Sequence, residues 1–386
     1  MMNNELIMIL AIVPAFLYVQ LIMRFTFGWF SLGKALTLKP VSSSSRPVSR
    51  ASTIVSIIIA VRNEANLITR CLEAIAGQDY PLNLFELMVV NDHSTDATEM
   101  KVNSFIIKHP EMSIRLLNAT GEGKKNAITQ GIKAATGKLI LVTDADCIMT
   151  QGWIRAFVTA YELTKVQCIS GPVKMTGEGA FGALQGLEFM SLIGSGAGSI
   201  GARIPVMCNG ANFCYEKTAF EAVGGFKGND RYASGDDVFL MLKISKQYGA
   251  SAVTFLKDRE AIVTTEAEPD LRSFLNQRLR WTSKSPGYTD FGIVLTAISV
   301  LIMNLGILIG CGYGLLTGHW QPFLLLSISK LIIDLPLLIS VASFLKQKRL
   351  LMYYLPVQII MPFYVVFTAI GGVISKVSWK GRPVKK

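Results

Sequence analysis

Histidine and cysteine are scarce in this sequence, and neither is arranged as a site. The three histidines are far apart, and the six cysteines show neither metal-ligand spacing nor the paired spacing of a disulfide framework. The cysteine pattern fits a reducing compartment. The chain also lacks the Gly-x-x-x-x-Gly-Lys-Ser/Thr spacing of a P-loop, which argues against a nucleoside triphosphatase.

A recognisable nucleic-acid-binding module is absent as well, although the formal net charge is +11. Much of the basic excess borders long hydrophobic runs, at 346–349 and 376–386. Lysine and arginine in such positions meet anionic lipid head groups and fix membrane topology. We therefore expect a lipid bilayer as a partner and no nucleic acid.

Long hydrophobic runs are what the sequence has in excess. Hydrophobic residues make up 51% of the 386 residues, and the mean hydropathy is +0.41. Four runs are long enough to cross a bilayer, at 6–23, 291–316, 322–345 and 350–374. The region between the first and second runs has a mixed composition and is predicted to be globular.

The first run is expected to be an uncleaved anchor. Its amino-terminal flank has no Lys or Arg, and the run is longer than the core of a signal peptide. Basic residues follow it, at Arg24, Lys34, Lys39, Arg46 and Arg50. By the positive-inside rule they place the globular region in the cytoplasm, in a multi-pass protein of the cell membrane.

Three full crossings after a cytoplasmic domain would leave the basic tail outside, against the same rule. We therefore expect one run to be re-entrant or interfacial, either the run with Pro356 and Pro362 or the run after Trp281. The predicted organisation is an N-terminal transmembrane anchor (1–25), a linker (26–51), a cytoplasmic domain (52–285), a membrane region with two or three transmembrane or re-entrant helices (286–376) and a basic tail (377–386).

Within the globular region, β-rich apolar runs at 54–59, 87–90, 114–117 and 139–142 alternate with helical patterns at 66–76, 96–107 and 126–135. This alternation predicts an α/β fold with a parallel sheet covered by helices on both faces. Ligands of such sheets bind beyond the carboxyl ends of the strands. Polar clusters follow three of the predicted strands, at 62–64, 91–96 and 144–146.

The last of these clusters holds two carboxylates, Asp144 and Asp146. Carboxylates two residues apart in a loop can hold a hard divalent cation, which in turn holds a diphosphate. Just upstream, Lys124 lies between glycines and a predicted helix start, a position that suits phosphate. Ser94 and Asp96, in the second cluster, are better explained as caps of the next helix.

A second acidic pair, Asp236 and Asp237, precedes a helical pattern at 238–248. Neighbouring acids raise each other's pKa, so one of them could act as a general base. No histidine is well placed for that role. Caps that favour the helix dipole are the alternative explanation for the pair.

A helix over 270–283 would put Gln277, Arg280 and Trp281 on one face. An amide, a fixed cation and a flat ring suit a diphosphate leaving group and a sugar. The alternative is an amphipathic helix in which the tryptophan packs and the arginine is solvated.

These separated motifs, in this order, resemble the membrane-bound inverting glycosyltransferases of family 2, which include cellulose, chitin and hyaluronan synthases and ceramide glucosyltransferase. The resemblance runs from about 55 to 283. It implies a GT-A (Rossmann-like) fold, a UDP-sugar donor and Mg²⁺ or Mn²⁺. The chain departs from the family pattern at Ala60, Asn91 and His93, where proline, aspartate and glycine are frequent.

The resemblance also implies roles for individual residues. Asp237 is the base, with Asp236 beside it, and Asp146 holds the metal with support from Asp144. Residues 209–213 form an acceptor-side loop. The residues that bind the donor are Glu64, Asp92, Lys124, Asp144, Gln277, Arg280 and Trp281.

The expected function is the inverting transfer of a sugar from a UDP-sugar to a lipid-linked or growing polysaccharide acceptor at the cytoplasmic membrane face. A glycolipid synthase of the ceramide-glucosyltransferase type is the alternative within this class. The few hydrophobic runs argue against a wide channel made by one chain, although an oligomer or an export partner could supply one.

A different class, a nucleotide-binding membrane transporter or scaffold, is also open. Lys330 and Asp334 lie four residues apart inside a hydrophobic run and could form an intramembrane pair along a transport path. A packing or topology-fixing pair explains them as well. Many transporters are built from internal repeats, so three or four hydrophobic runs without a repeat argue against a transporter.

Overall fold

The computed structural model describes residues 4–33, 53–229, 234–374, 378–379 and 382–383. Most of the expected linker and of the basic tail lies outside these residues. The chain forms two compact units. The sheet unit comprises Ser31–Thr176, Cys208–Glu266 and Trp379–Lys386, and the helical unit comprises Met1–Phe30, Gly177–Met207 and Ala267–Ser378.

The helices and strands follow one another in this order: α1 (Asn4–Ser31), β1 (Val55–Val61), α2 (Ile68–Ala76), β2 (Phe85–Asn91), α3 (Thr98–Lys108), β3 (Ile114–Asn118), α4 (Lys124–Ala134), β4 (Leu139–Val142), β5 (Ile148–Met149), α5 (Trp153–Thr164), β6 (Cys168–Ser170), β7 (Val173–Thr176), α6 (Gly179–Gly201), β8 (Phe213–Glu216), α7 (Lys217–Ala222), α8 (Asp236–Tyr248), β9 (Val253–Phe255), β10 (Val263–Glu266), α9 (Leu271–Thr282), α10 (Phe291–Thr317), α11 (Gln321–Phe344), α12 (Tyr354–Ile374), β11 (Ser378–Trp379) and β12 (Arg382–Pro383).

A seven-stranded sheet is the centre of the sheet unit, in the order β3-β2-β1-β4-β8-β6-β9. The strands β3, β2, β1 and β4 are parallel, as the alternation of strands and helices predicts. β8 runs antiparallel to β4 and β6, so the complete sheet is mixed. The isoleucines of β1 are fully buried, as is typical of a strand that is covered on both faces.

Strand register brings the predicted polar clusters to one edge of this sheet. Val61 pairs with Asn91, and Asn91 pairs with Asn118, so β1, β2 and β3 end side by side. β4 ends earlier, at Val142 opposite Ile58. Because of that register, the residues that follow β4 extend toward the end of β1.

The four hydrophobic runs are helices of the helical unit. Among the residues that the structure describes, four helices are long and apolar enough to cross a membrane: Ile7–Ser31, Phe291–Thr317, Gln321–Phe344 and Lys348–Ile374. They expose large apolar side chains such as Phe16, Leu316 and Ile359, which suits contact with lipid. The number of crossings and their direction stay predictions.

Two further helices, α6 and α9, fold with these long helices, although both lie within the region predicted to be globular. α6 is rich in glycine, and α1 crosses it closely. A Cβ added to Gly28 would lie 2.0 Å from the carbonyl oxygen of Gly198. Small residues allow two helix backbones to approach in this way.

Lys330 and Asp334 form a pair inside the helical unit, with Nζ 2.5 Å from Oδ2. Lys330 also donates to Gln358 Oε1 at 2.9 Å, and the Tyr18 hydroxyl donates to Asp334 Oδ1 at 2.8 Å. This network joins α1, α11 and α12. It favours the packing explanation for the pair over a transport path.

Candidate active site

The loops that follow β1 and β2 are joined to each other. Arg62 donates from Nη1 to the carbonyl oxygens of Asp92 and His93, both at 2.8 Å. The backbone N–H of Glu64 donates to Thr98 Oγ1 at 2.8 Å, at the start of α3. The predicted donor residues Glu64 and Asp92 are therefore held on neighbouring loops at one edge of the sheet.

Asp92 also organises the loop before α4. Its side chain is 1% exposed, Oδ2 accepts the Gly123 N–H at 3.1 Å, and Oδ1 lies 3.2 Å from His93 Nδ1. Gly123 has a φ of 93°, which favours glycine, and it directly precedes Lys124 at the start of α4. Asp92 therefore helps to place Lys124.

Lys124 connects two acidic clusters. Its Nζ lies 2.5 Å from Asp144 Oδ1 and 3.9 Å from Asp236 Oδ2. Desolvation alone would lower the pKa of Lys124, but the carboxylates of Asp144 and Asp236 raise it above its ordinary value. Lys124 is thus a permanent cation at the edge of the sheet, which is the charge that a diphosphate requires.

Asp144 and Asp146 form the candidate metal site. Burial raises the pKa of Asp146, and the charge of Asp144 raises it further. Asp146 accepts hydrogen bonds from Thr265 Oγ1 at 3.0 Å and from Cys147 Sγ at 3.5 Å. A divalent cation would relieve the repulsion between the two carboxylates.

The donor set suits a cation that is shared with a substrate. Within the described part of the chain, no three His, Cys, Asp or Glu side chains gather into a protein cage. Mg²⁺ commonly takes one or two carboxylates and completes its shell with water and substrate phosphates. Asp144 and Asp146 therefore fit a divalent cation that a bound diphosphate helps to hold.

The two carboxylates at the start of α8 have different nearest partners. Asp236 faces Lys124, whereas Asp237 Oδ2 accepts the Gly210 N–H at 2.8 Å. Gly235 occupies the N-cap position of α8, and Asp237 Oδ1 accepts the Val238 N–H at 2.8 Å in the first turn of the helix. Asp236 thus lies beside the predicted donor residues, and Asp237 lies beside the predicted acceptor-side loop.

The helix predicted at 270–283 is α9 of the helical unit. It carries Gln277, Arg280 and Trp281. The Gln277 amide is already engaged there. Its Nε2 donates to Glu268 Oε1 at 2.6 Å, and its Oε1 accepts from Arg278 Nη1.

Arg278 is not among the predicted site residues, and it is 2% exposed. Its Cζ lies 4.3 Å from the Trp281 ring centroid and 4.5 Å from that of Phe274. Its acidic partner is Glu188 on α6, which no local pattern could connect to it. The only local signal is its i+4 spacing from Phe274, which puts both on the buried face of α9.

The family described as Glycosyl transferase family 2 matches residues 56–224, the segment with Glu64, Asp92, Lys124, Asp144 and Asp146. The chain carries a family 2 glycosyltransferase domain. The family and the enzyme class expected from the motifs are confirmed for this domain. The roles of individual residues stay predictions, and the match ends before α8 and α9.

Proteins with related sequences include Glycosyltransferase AglE of Haloferax volcanii, which is 33% identical over 122 residues, or 32% of this chain and 40% of the relative. Another is the Dolichyl N-acetyl-alpha-D-glucosaminyl phosphate 3-beta-D-2,3-diacetamido-2,3-dideoxy-beta-D-glucuronosyltransferase of Methanococcus voltae, 30% identical over 111 residues, or 29% of this chain and 35% of the relative. The chain thus covers less than half the length of these two relatives.

A solved structure is similar in fold, the Mannosyltransferase PcManGT from Pyrobaculum calidifontis in complex with GDP-Man and Mn2+. The likeness covers 95% of this chain and 99% of that chain, with a TM-score of 0.57 and 20% sequence identity. Together with the family match, it confirms the expected fold class, a GT-A domain with apolar helices.

Proposed function

We propose that this chain is an inverting glycosyltransferase that moves a sugar from a nucleotide-sugar donor to an acceptor hydroxyl at the membrane. The observation that best supports this function is the line of side chains from Asp144 through Lys124 to Asp236, with Asp237 next to Asp236 and bonded to the Gly210 N–H. These groups are able to bind a diphosphate on one side and to accept a proton on the other.

On the donor side, Lys124 contributes a fixed positive charge, and Asp92 keeps the loop of Lys124 in place. Asp144 and Asp146 would hold Mg²⁺ or Mn²⁺, which when bound neutralises charge on the departing diphosphate. The complex of the Pyrobaculum protein with GDP-Man and Mn2+ supports a nucleotide sugar and a divalent cation. The family resemblance favours a UDP-sugar.

On the acceptor side, Asp237 takes the proton of the attacking hydroxyl as the acceptor oxygen bonds to the anomeric carbon. The bond from that carbon to the diphosphate oxygen breaks, and the nucleoside diphosphate leaves with the electron pair. Attack from the face opposite the leaving group inverts the configuration in one displacement. Asp236 is the weaker candidate for this role because it faces Lys124.

The acceptor that we propose is a lipid-linked glycan or a growing polysaccharide at the cytoplasmic face. The four apolar helices supply contact with lipid, and the Methanococcus voltae relative is named for a dolichyl sugar phosphate. A glycolipid is the alternative acceptor for the same site. An oligomer or an export partner would be needed to move a long polymer across the membrane.

Transfer by the purified full chain in lipid nanodiscs tests this function. The donors are radiolabelled UDP-glucose, UDP-N-acetylglucosamine, UDP-galactose and GDP-mannose, with extracted membrane lipids as acceptors. We expect one donor to label a lipid or a polymer, and an α-linked donor to give a β-linked product by NMR. Donor binding without transfer from any of the four would favour a transporter or scaffold.

A further inference from the structure

The loop of residues 209–212, here called the acceptor loop, is fixed to the strand that carries the metal motif. Thr143 is fully buried and lies between the last residue of β4 and Asp144. Its hydroxyl donates to the carbonyl oxygen of Ala211 at 2.8 Å. The end of β4 therefore holds the middle of the acceptor loop directly.

The same loop also holds Asp237. The Gly210 N–H donates to Asp237 Oδ2 at 2.8 Å, and a Cβ at Gly210 would lie 3.4 Å from Asp237 Cβ. Within the loop, Asn209 accepts the Ala211 N–H at its Oδ1 and the Asn212 N–H at its backbone oxygen, at 2.9 and 3.1 Å. These bonds close a tight turn around Gly210.

Asn212 anchors the end of the turn. Its fully buried amide donates to the carbonyl oxygens of Pro172 and Ala261, both at 2.8 Å, and accepts from Trp153 Nε1 at 2.9 Å. Both amide hydrogens and the amide oxygen are thus bonded inside the protein. A side chain bound in this way positions the loop and does not contact an acceptor.

We propose that Thr143 and Asn212 are positioning residues that orient the Asp237 carboxylate through the Gly210 N–H. The acceptor loop thereby connects the end of β4, which precedes Asp144, to Asp237, which receives the acceptor proton. The inference rests on the proposed function, in which Asp237 is the base. Because both residues act through the Gly210 N–H on the base, a change in either should affect the chemical step more than donor binding.

Thr143→Val tests the inference because it removes the hydroxyl and keeps the shape of the side chain. We expect kcat to fall about tenfold to a hundredfold, because a small misplacement of a catalytic group has that effect. The KM for the donor should change by less than about twofold, since uniform donor binding is not altered. Thr143→Ser keeps the hydroxyl and should retain most of the wild-type kcat.

Thr53→Val is the matched control. Thr53 is also a buried threonine, and its hydroxyl donates one hydrogen bond, to Glu162 Oε1 at 2.9 Å. It lies just before β1, at the end of the parallel strands that is opposite to Thr143. We expect its kcat per folded molecule to equal that of the wild type. An equal fall in Thr53→Val and Thr143→Val would show a general stability effect and overturn the inference.

Trp153→Phe is the second variant, for the case in which Thr143→Val does not fold. It removes the donor to Asn212 and keeps a ring, and the same selective fall in kcat is expected. A wild-type kcat in whichever of these two variants folds would also overturn the inference. A wild type that transfers no sugar from any donor would instead defeat the proposed function, so the two failures are distinguishable.

Discussion

Arg278 and Glu188 form a buried ion pair in the helical unit, with Nη2 2.6 Å from Oε2 and Nε 3.3 Å from Oε1. The Tyr364 hydroxyl donates to the same Oε1 at 2.9 Å. Desolvation alone would lower the pKa of Arg278, but Glu188 raises it above its ordinary value. The pair joins α9 to α6 and α12, and so it fixes the helix that carries Arg280.

We expect Glu188→Ala to lower the free energy of unfolding by about 3–5 kcal/mol, because Arg278 would remain buried without its partner. Tyr364→Phe should cost only about 1 kcal/mol, since it removes one hydrogen bond. Denaturation in detergent micelles measures both variants. The control is Arg70→Ala, which breaks an exposed pair with Glu266 and should cost less than about 1 kcal/mol. A wild-type stability for Glu188→Ala would contradict the importance of the pair.

Asp237→Asn should reduce kcat by about 10²–10⁴-fold, because it removes the base from the chemical step. Affinity for the nucleoside diphosphate, measured by calorimetry, should stay close to that of the wild type. Asp236→Asn should be milder in kcat. If the two substitutions had reversed effects, the base would be Asp236.

Metal dependence should be visible by two independent routes. Excess chelator and Asp146→Ala should each reduce transfer to background, and added Mn²⁺ or Mg²⁺ should restore only the chelated wild type. Full activity in excess chelator would exclude the metal role.

Thr265→Val removes the hydroxyl that donates to Asp146 Oδ2. Because such outer partners orient metal ligands, we expect the Mn²⁺ concentration for half-maximal activity to rise about tenfold. Saturating Mn²⁺ should restore the wild-type rate. A variant with an unchanged Mn²⁺ requirement would show that Thr265 does not support the site.

Local pattern was sufficient to predict the first half of the sheet unit. β4 is formed by the four residues at which it was predicted, 139–142, because an apolar run this short that follows a glycine is too short for a buried helix. α4 begins at Lys124, two residues before the predicted start at 126, where Gly123 with its positive φ ends the preceding loop. The convergence of the polar clusters followed from the parallel order of the strands.

The features that were not predicted depend on partners far along the chain. β8 enters the sheet between β4 and β6 after the whole of α6, and no local periodicity specifies that position. Asn212 was assigned to the acceptor-side loop with its neighbours, but the burial of its amide is set by Trp153, Pro172 and Ala261. Lys124 was predicted to bind phosphate. Its position 3.9 Å from Asp236 was not predicted, because the two residues are far apart in the sequence and only the folded chain brings them together.

Arg280→Lys keeps the positive charge on α9 but loses the planar fork of the guanidinium. If Arg280 holds the diphosphate through two oxygens, transfer should fall by about tenfold or more. Trp281→Phe should be tolerated better than Trp281→Ala, because a ring that stacks remains. Trp281 also covers the Arg278 guanidinium, so we expect Trp281→Ala to lower the thermal midpoint as well.

Turnover per folded molecule and thermal midpoint, measured separately for Arg280→Lys, Trp281→Phe and Trp281→Ala, distinguish the two explanations of this helix. A role in donor binding predicts that turnover falls in Arg280→Lys without a change in the midpoint, because charge and helix propensity are kept. A purely supporting amphipathic helix predicts wild-type turnover for Arg280→Lys and a changed midpoint for the Trp281 variants alone. That second result would remove Arg280 and Trp281 from the donor site and leave donor binding to Glu64, Asp92, Lys124 and the metal pair.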